Sequence, residues 1–172
     1  MLKNSLLLYV LLLFVQCKSE KKEIQSDIAT NNYVVQTLNY KELKPLLERN
    51  DHKNYVVNFW ATWCAPCVKE LPYFEELEAE FKDRNIEVLL VSLDFPNKKD
   101  TKLLPFLKQK NIKSKVVLLD DANEDVWIQA IDESWSGAIP ATLFYNSTNR
   151  RFFEQSFTRE TLYKELQTFL NL

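Results

Sequence analysis

Two cysteines separated by two residues are the strongest candidates for chemistry in this chain. Cys64 and Cys67 directly follow an apolar run at residues 55–60, and Pro66 lies between them. Because a proline is well placed in the first turn of a helix, the pattern predicts a buried strand that leads into a helix at Cys64. Unpaired N–H groups at a helix N-terminus stabilise a thiolate and lower its pKa. The spacing therefore predicts a redox pair, with Cys64 as the exposed nucleophile and the deeper Cys67 as the resolving thiol.

Other kinds of site are poorly supported by the composition. A zinc site would need about two further ligands, whereas the rest of the chain offers one cysteine, Cys17, and one histidine, His52, which is expected in a surface loop. The single glycine, Gly137, excludes glycine-rich phosphate loops. A net charge of −2 gives no electrostatic case for a nucleic-acid partner. We therefore expect no metal, no cofactor and no nucleic acid.

The first 31 residues differ from the rest of the chain. Lys3 precedes an apolar run at residues 6–15, which has the length of a signal h-region and is too short to span a bilayer comfortably. Cys17 follows, and residues 1–17 resemble a bacterial lipoprotein signal, although Gln16 is larger than that pattern prefers. The resemblance implies a lipidated Cys17 as the mature first residue; an uncleaved signal anchor and a plain secretory peptide remain alternatives. All three possibilities predict an exported chain. A lipidated Cys17 or a signal anchor would also hold the chain on a membrane of the cell envelope, facing the periplasm.

The remaining chain is expected to form a charged flexible tether at residues 18–31 and one domain at residues 32–172. Strands are predicted at residues 33–38, 55–60, 86–93, 116–119, 141–145 and 151–154. Helices are predicted after an Asn39–Glu42 capping box and at residues 66–83, 100–110, 123–131 and 159–172. The alternation predicts an α/β domain in which helices cover a mixed sheet.

A known family shares the cysteine motif and a second mark further along the chain. Residues 63–72 resemble the W-C-x-P-C-x-x-E-x-P signature of the TlpA/ResA-like thioredoxin family. Residues 137–142 resemble the segment that carries this fold's cis-proline, here Pro140. The likeness covers residues 33–172 and implies a thioredoxin fold, a central mixed sheet flanked by helices, with an insert before the cis-proline strand.

The same resemblance implies where a substrate binds. In this family the substrate lies beside the cis-proline and pairs by its backbone with the preceding residue, here Ile139, which is a form of strand addition. Trp63 would form an apolar rim, or alternatively a core aromatic. The implied substrate contacts are Trp63, Ala65, Pro66, Ile139 and Pro140, beside a Cys64–Cys67 pair that alternates between dithiol and disulfide.

The acidic residue near the cysteines differs from that of cytoplasmic thioredoxins. Those proteins carry a buried aspartate at the position of Asn58, which cannot transfer a proton, whereas this chain carries Glu70. Glu70 follows Cys67 by three residues, on the same helical face. A carboxylate there would raise the pKa of the neighbouring thiol and could relay its proton, as the family glutamate does. A solvated helix residue is the alternative. Peroxiredoxin-like sites carry Thr or Ser three residues before the reactive cysteine, where this chain has Ala61, so the pattern argues against a peroxidase.

These features predict a thiol–disulfide oxidoreductase that reduces disulfides in exported proteins, through a mixed disulfide. The family resemblance makes apocytochrome c and metal-site cysteines the expected substrates. A reductant in an oxidising compartment needs a membrane electron donor to recharge it. Two alternatives remain, a disulfide-forming oxidant and a non-catalytic module that binds client proteins.

Overall fold

A six-stranded mixed sheet lies at the centre of residues 34–171, the part of the chain that the computed structural model describes. The strand order is β1-β4-β3-β2-β5-β6. Strands β1 to β4 pair in parallel, whereas β5 and β6 are antiparallel to their neighbours. The bounds are β1 Gln36–Leu38, β2 Asn54–Trp60, β3 Ile86–Ser92, β4 Lys115–Leu119, β5 Ala141–Tyr145 and β6 Arg150–Phe153. The mixed sheet agrees with the prediction.

Helices connect these strands and cover both faces of the sheet. They are α1 Tyr40–Leu47, α2 Ala65–Glu80, α3 Leu104–Lys110, α4 Glu124–Ile131 and α5 Arg159–Leu170. The predicted capping box is present, since Asn39 and Glu42 bond each other's backbone N–H groups. Among residues 34–171, no helix has the length and apolar character needed to cross a membrane. The predicted signal segment, Cys17 and the tether lie outside the described residues.

Two helix predictions needed correction. The helix predicted at residues 100–110 begins as a wider π-type turn, Lys99–Leu103, and becomes α-helical only at Leu104. Pro105 explains this boundary, because it lacks an N–H donor and fits the first turn of α3. The helix predicted to reach residue 83 ends at Glu80 and is followed by the 3-10 turn Lys82–Arg84. Helix α3, strand β4 and helix α4 lie between β3 and the cis-proline strand β5, the region in which the insert was predicted.

The central strand β2 contributes to both halves of the core. Val56 and Trp60 pack in the layer with α2 and α5, whereas Val57 and Phe59 pack in the layer with α1 and α4. This division follows from the alternation of side chains along a strand. Burying one such apolar side chain contributes about 1.5–3 kcal/mol. Asn58 is the polar residue in the middle of this buried strand, and its side chain donates to Glu70 on α2.

Candidate active site

Cys64 and Cys67 form a disulfide at the N-terminus of α2. Cys64 is the N-cap residue of the helix, and its Sγ accepts a hydrogen bond of 3.3 Å from the backbone N–H of Cys67. Pro66 lies in the first turn, which contains no acidic side chain. After reduction, the N–H donor and the helix dipole would therefore stabilise a thiolate at Cys64.

Access to the two sulfurs is unequal. Cys64 is 6% exposed and Cys67 is completely buried. The predicted order of access is therefore observed, but Cys64 is not the openly exposed residue that the sequence predicted. The segment before Pro140 accounts for this burial, because the Ile139 carbonyl oxygen lies 3.7 Å from the Cys64 Sγ.

The residues predicted to contact substrate surround this disulfide. Ile139 is half-buried and Pro140 is buried, and the peptide bond between them is cis, as the family resemblance implied. Ala65 and Pro66 are exposed on the first turn of α2. Trp63 is 59% exposed, so the alternative that it is a core aromatic is wrong. Trp63 and Ile139 line the same groove, which has a volume of about 380 Å³.

A buried carboxylate holds the turn that precedes Cys64. Asp94, which follows β3, accepts hydrogen bonds from the Thr62 backbone N–H at 3.0 Å and from the hydroxyls of Thr62 and Ser92 at 2.5 and 2.8 Å. These bonds tie the end of β3 to the turn between β2 and α2. Asp94 was not predicted as a site residue. An acidic residue directly after a buried strand was the available signal, because a buried carboxylate needs hydrogen-bond donors.

Glu70 is completely buried one turn after Cys67, so the alternative of a solvated helix residue is wrong. Its carboxylate accepts hydrogen bonds from the Asn58 side-chain amide at 3.0 Å, the Ser156 hydroxyl at 3.2 Å and the Phe157 backbone N–H at 2.6 Å. Burial raises the pKa of Glu70, and the three donors oppose that rise. The structure therefore places a buried carboxyl group, held by three hydrogen-bond donors, one helical turn after Cys67.

Asn58 has a part in this arrangement that the sequence analysis did not assign. Its side-chain amide lies between Glu70 on α2 and Thr142 on β5, with the Thr142 Oγ1 at 3.1 Å. The Asn58 amide does not titrate, but its N–H group donates a hydrogen bond to the Glu70 carboxylate, which can take up a proton. Its position in a buried apolar strand was the signal, since a buried amide requires polar partners.

The residues that the structure describes contain no group of three His, Cys, Asp or Glu side chains arranged to hold a metal ion.

Comparison with known proteins agrees with this geometry. Residues 26–149 match the AhpC/TSA family. The chain belongs to this family. It is 33% identical over 131 residues to the thiol-disulfide oxidoreductase ResA of Bacillus thuringiensis subsp. konkukian (strain 97-27), covering 69% of this chain and 72% of that relative.

Solved structures show the same fold at lower sequence identity. A thioredoxin-related protein from Neisseria meningitidis serogroup B has a TM-score of 0.58 at 22% identity, covering 69% of this chain and 85% of that one. A thioredoxin family thiol:disulfide interchange protein from Chlorobium tepidum TLS has a TM-score of 0.57 at 18% identity, with coverages of 73% and 83%. The predicted thioredoxin fold, ResA-like family and thiol–disulfide oxidoreductase activity are thereby confirmed.

Proposed function

We propose that this AhpC/TSA family member is a reductant of disulfides in exported proteins, with apocytochrome c or metal-site cysteines as its substrates. The observation that carries the proposal is a buried Glu70 one turn beneath a Cys64–Cys67 disulfide, at a helix N-terminus beside Ile139. The ResA relative, which is named a thiol-disulfide oxidoreductase, supports the class of reaction.

The reaction begins with the reduced pair. The Cys64 thiolate attacks one sulfur of the substrate disulfide, the substrate S–S bond breaks, and the other substrate sulfur leaves and takes up a proton. Cys67 loses its proton to Glu70 and attacks the Cys64 sulfur of the mixed disulfide. The second substrate thiol leaves and receives a proton, and the Cys64–Cys67 disulfide forms. Two electrons pass from the enzyme dithiol to the substrate, which is reduced.

A buried carboxylate beneath the pair favours a reductant over an oxidant. A strong oxidant requires a dithiol form that is stabilised by a very low thiol pKa. Negative charge at Glu70 would destabilise a nearby thiolate and so weaken that stabilisation. The oxidised pair must then be recharged, and in an oxidising compartment we propose a membrane protein that carries electrons outward as the donor.

The reduction potential of the Cys64–Cys67 couple tests the direction. We would equilibrate the full chain with defined thiol–disulfide buffers. The chain would carry Cys17→Ser, so that only the Cys64–Cys67 pair contributes to the measured potential. The expected value is about −230 mV or lower, within the range of reducing thioredoxin-fold proteins. A value near about −120 mV would make the protein an oxidant.

We further propose that the chain is exported and held in the cell envelope through lipid on Cys17, with the tether at residues 18–31 placing the domain on the periplasmic side. The charged Lys3, the apolar run at residues 6–15 and the position of Cys17 support this proposal. A lipid anchor would keep the domain close to a membrane electron donor.

Metabolic labelling with a radioactive fatty acid tests the anchor. Cells that express the full chain are expected to incorporate label into the protein, and Cys17→Ser is expected to abolish that incorporation. Cys64→Ser is the matched control, because it also removes one thiol and is expected to keep the label. Equal labelling of the wild type and Cys17→Ser would exclude lipidation at this position.

A further inference from the structure

A short segment after β6 bonds both the loop that leads to Ile139 and the buried Glu70. We call residues 154–157 the clasp. At its first residue, Glu154 bonds the loop at residues 136–138, which leads directly into Ile139. At its other end, Ser156 and Phe157 bond the buried Glu70 beneath Cys67. One segment therefore connects the predicted substrate-pairing loop to the carboxylate beneath the cysteines.

The contact between Glu154 and the loop consists of several hydrogen bonds to one carboxylate. The Glu154 Oε2 accepts from the Ser136 backbone N–H at 3.0 Å, and Oε1 accepts from the Ala138 backbone N–H at 3.2 Å. The Ser136 hydroxyl also donates to Oε1. These bonds lower the pKa of Glu154, with the Ser136 hydroxyl as the largest cause. An anionic carboxylate thus bonds two N–H groups within three residues of Ile139.

At the centre of the loop, the backbone conformation of Gly137 requires a glycine. Gly137 has a φ of 93°, in the region that favours glycine, and an added Cβ would lie 3.0 Å from the Ile128 Cδ1. On the other side, the Trp135 indole N–H donates to the Ala138 carbonyl at 2.8 Å. Glu154 therefore completes the set of contacts that fixes the backbone on the approach to Ile139.

The far end of the clasp is anchored in the core. Phe157 is 4% exposed and packs in the same cluster as Cys67 and Leu71. Its backbone N–H lies 2.6 Å from the Glu70 Oε2. Because this end is buried and hydrogen-bonded, it gives Glu154 a fixed base from which to hold an otherwise exposed loop.

We propose that Glu154 is a positioning residue for substrate binding. It holds residues 136–138 so that the backbone N–H and C=O of Ile139 stay in place to pair with an extended substrate. The inference rests on the proposed function, since it assumes that substrate pairs at Ile139. Preorganising one partner lowers the entropic cost of association, so the contribution of Glu154 is expected in substrate affinity and not in the exchange chemistry.

Glu154→Gln tests this role with almost no change in size. One carboxylate oxygen becomes an NH₂ group, which must then face a hydrogen-bond donor of Ser136 or Ala138. For reduction of a linear peptide that contains one intrachain disulfide, with an excess of a small dithiol such as dithiothreitol to re-reduce the Cys64–Cys67 disulfide and the uncatalysed rate subtracted, we expect the KM to rise about five- to tenfold at an unchanged kcat. The rate with 5,5′-dithiobis(2-nitrobenzoate), a small disulfide that has no peptide backbone, and the Cys64–Cys67 reduction potential are both expected to stay at their wild-type values.

Glu160→Gln is the matched control, because it makes the same chemical change at an exposed glutamate in the first turn of α5. Glu160→Gln is expected to have the wild-type KM and kcat for the peptide and the wild-type rate with the small disulfide. An unchanged KM in Glu154→Gln, or an equal loss with the peptide and the small disulfide, would overturn the positioning role.

The wild type provides a separate check on the underlying proposal. The wild-type protein is expected to bind the peptide disulfide with a lower KM than the small disulfide. Equal KM values would overturn substrate pairing at Ile139, and the role of Glu154 with it. If the wild type has a lower KM for the peptide than for the small disulfide, and Glu154→Gln keeps the same difference in KM, only the role of Glu154 would be overturned.

Discussion

Replacing Cys64 with serine is expected to lower the rate of disulfide exchange by at least about 10³-fold. The thiolate is the attacking species, and a serine hydroxyl remains protonated and is a poor nucleophile toward sulfur. Replacing Cys67 with serine is expected to leave the first attack intact and to prevent resolution. The Cys67→Ser protein should therefore accumulate as a mixed disulfide with its substrate, because Cys64 then has no partner thiol to release it.

Turnover of a peptide disulfide and mass spectrometry of the quenched reaction measure both effects. Every variant would carry Cys17→Ser, so that a third thiol cannot resolve the mixed disulfide. Cys17→Ser alone is the control, and it is expected to turn over at the wild-type rate. A stable substrate adduct on Cys67 in the Cys64→Ser protein, with none on Cys64 in Cys67→Ser, would reverse the assigned order of the two thiols. The greater burial of Cys67 argues against that order.

Local features of this site could be predicted from the sequence because they depend on neighbours along the chain. The apolar run of β2, the N-cap position of Cys64 and the placement of Pro66 in the first turn of α2 all follow from local patterns. The cis bond before Pro140 could not be derived in this way, since an X–Pro bond is usually trans. It was expected only from the resemblance to a known family.

The contacts that hold the site together were not predictable, because they join residues far apart in the sequence. Asp94 and Thr62 are 32 residues apart, and Glu70 and Phe157 are 87 apart. A helical period shows which face Glu70 occupies, but not which loop packs over that face. Its burial depends on Ser156 and Phe157, which no local pattern links to α2. Similarly, the burial of Cys64 depends on the distant Ile139.

Replacing Glu70 with glutamine is expected to slow resolution of the mixed disulfide by about 10²-fold or more near neutral pH, since general acid–base catalysis typically contributes about 10²- to 10⁴-fold. The glutamine keeps the size of the side chain and can still accept from Phe157, but it cannot take the Cys67 proton. Burial raises the pKa of Glu70, which brings that group closer to working pH and makes it a better proton acceptor. The resolving rate of the wild type should therefore increase as pH rises through the Glu70 pKa.

Single-turnover release of product thiol, measured across pH, tests this prediction. Glu70→Gln is expected to lose the increase that follows the Glu70 pKa and to retain only the dependence on the Cys67 thiol. Glu76→Gln, on an exposed position of the same helix, should keep the wild-type profile. A Glu70→Gln profile identical to that of the wild type would exclude Glu70 from the proton transfer.

The pH dependence of the stability of the oxidised protein gives an independent measure of the raised pKa of Glu70. Because the folded-state pKa of Glu70 is raised, the folded protein binds more protons at this site than the unfolded chain does. The contribution of Glu70 to stability is thus fully present below its unfolded pKa and is lost as pH rises through the folded value. Urea unfolding should show this loss in the wild type, and Glu70→Gln should remove that part of the pH dependence. If both effects are observed, the carboxylate that assists the resolving thiol is also one whose ionisation costs folding free energy. That combination is the one expected of a buried group retained for proton transfer.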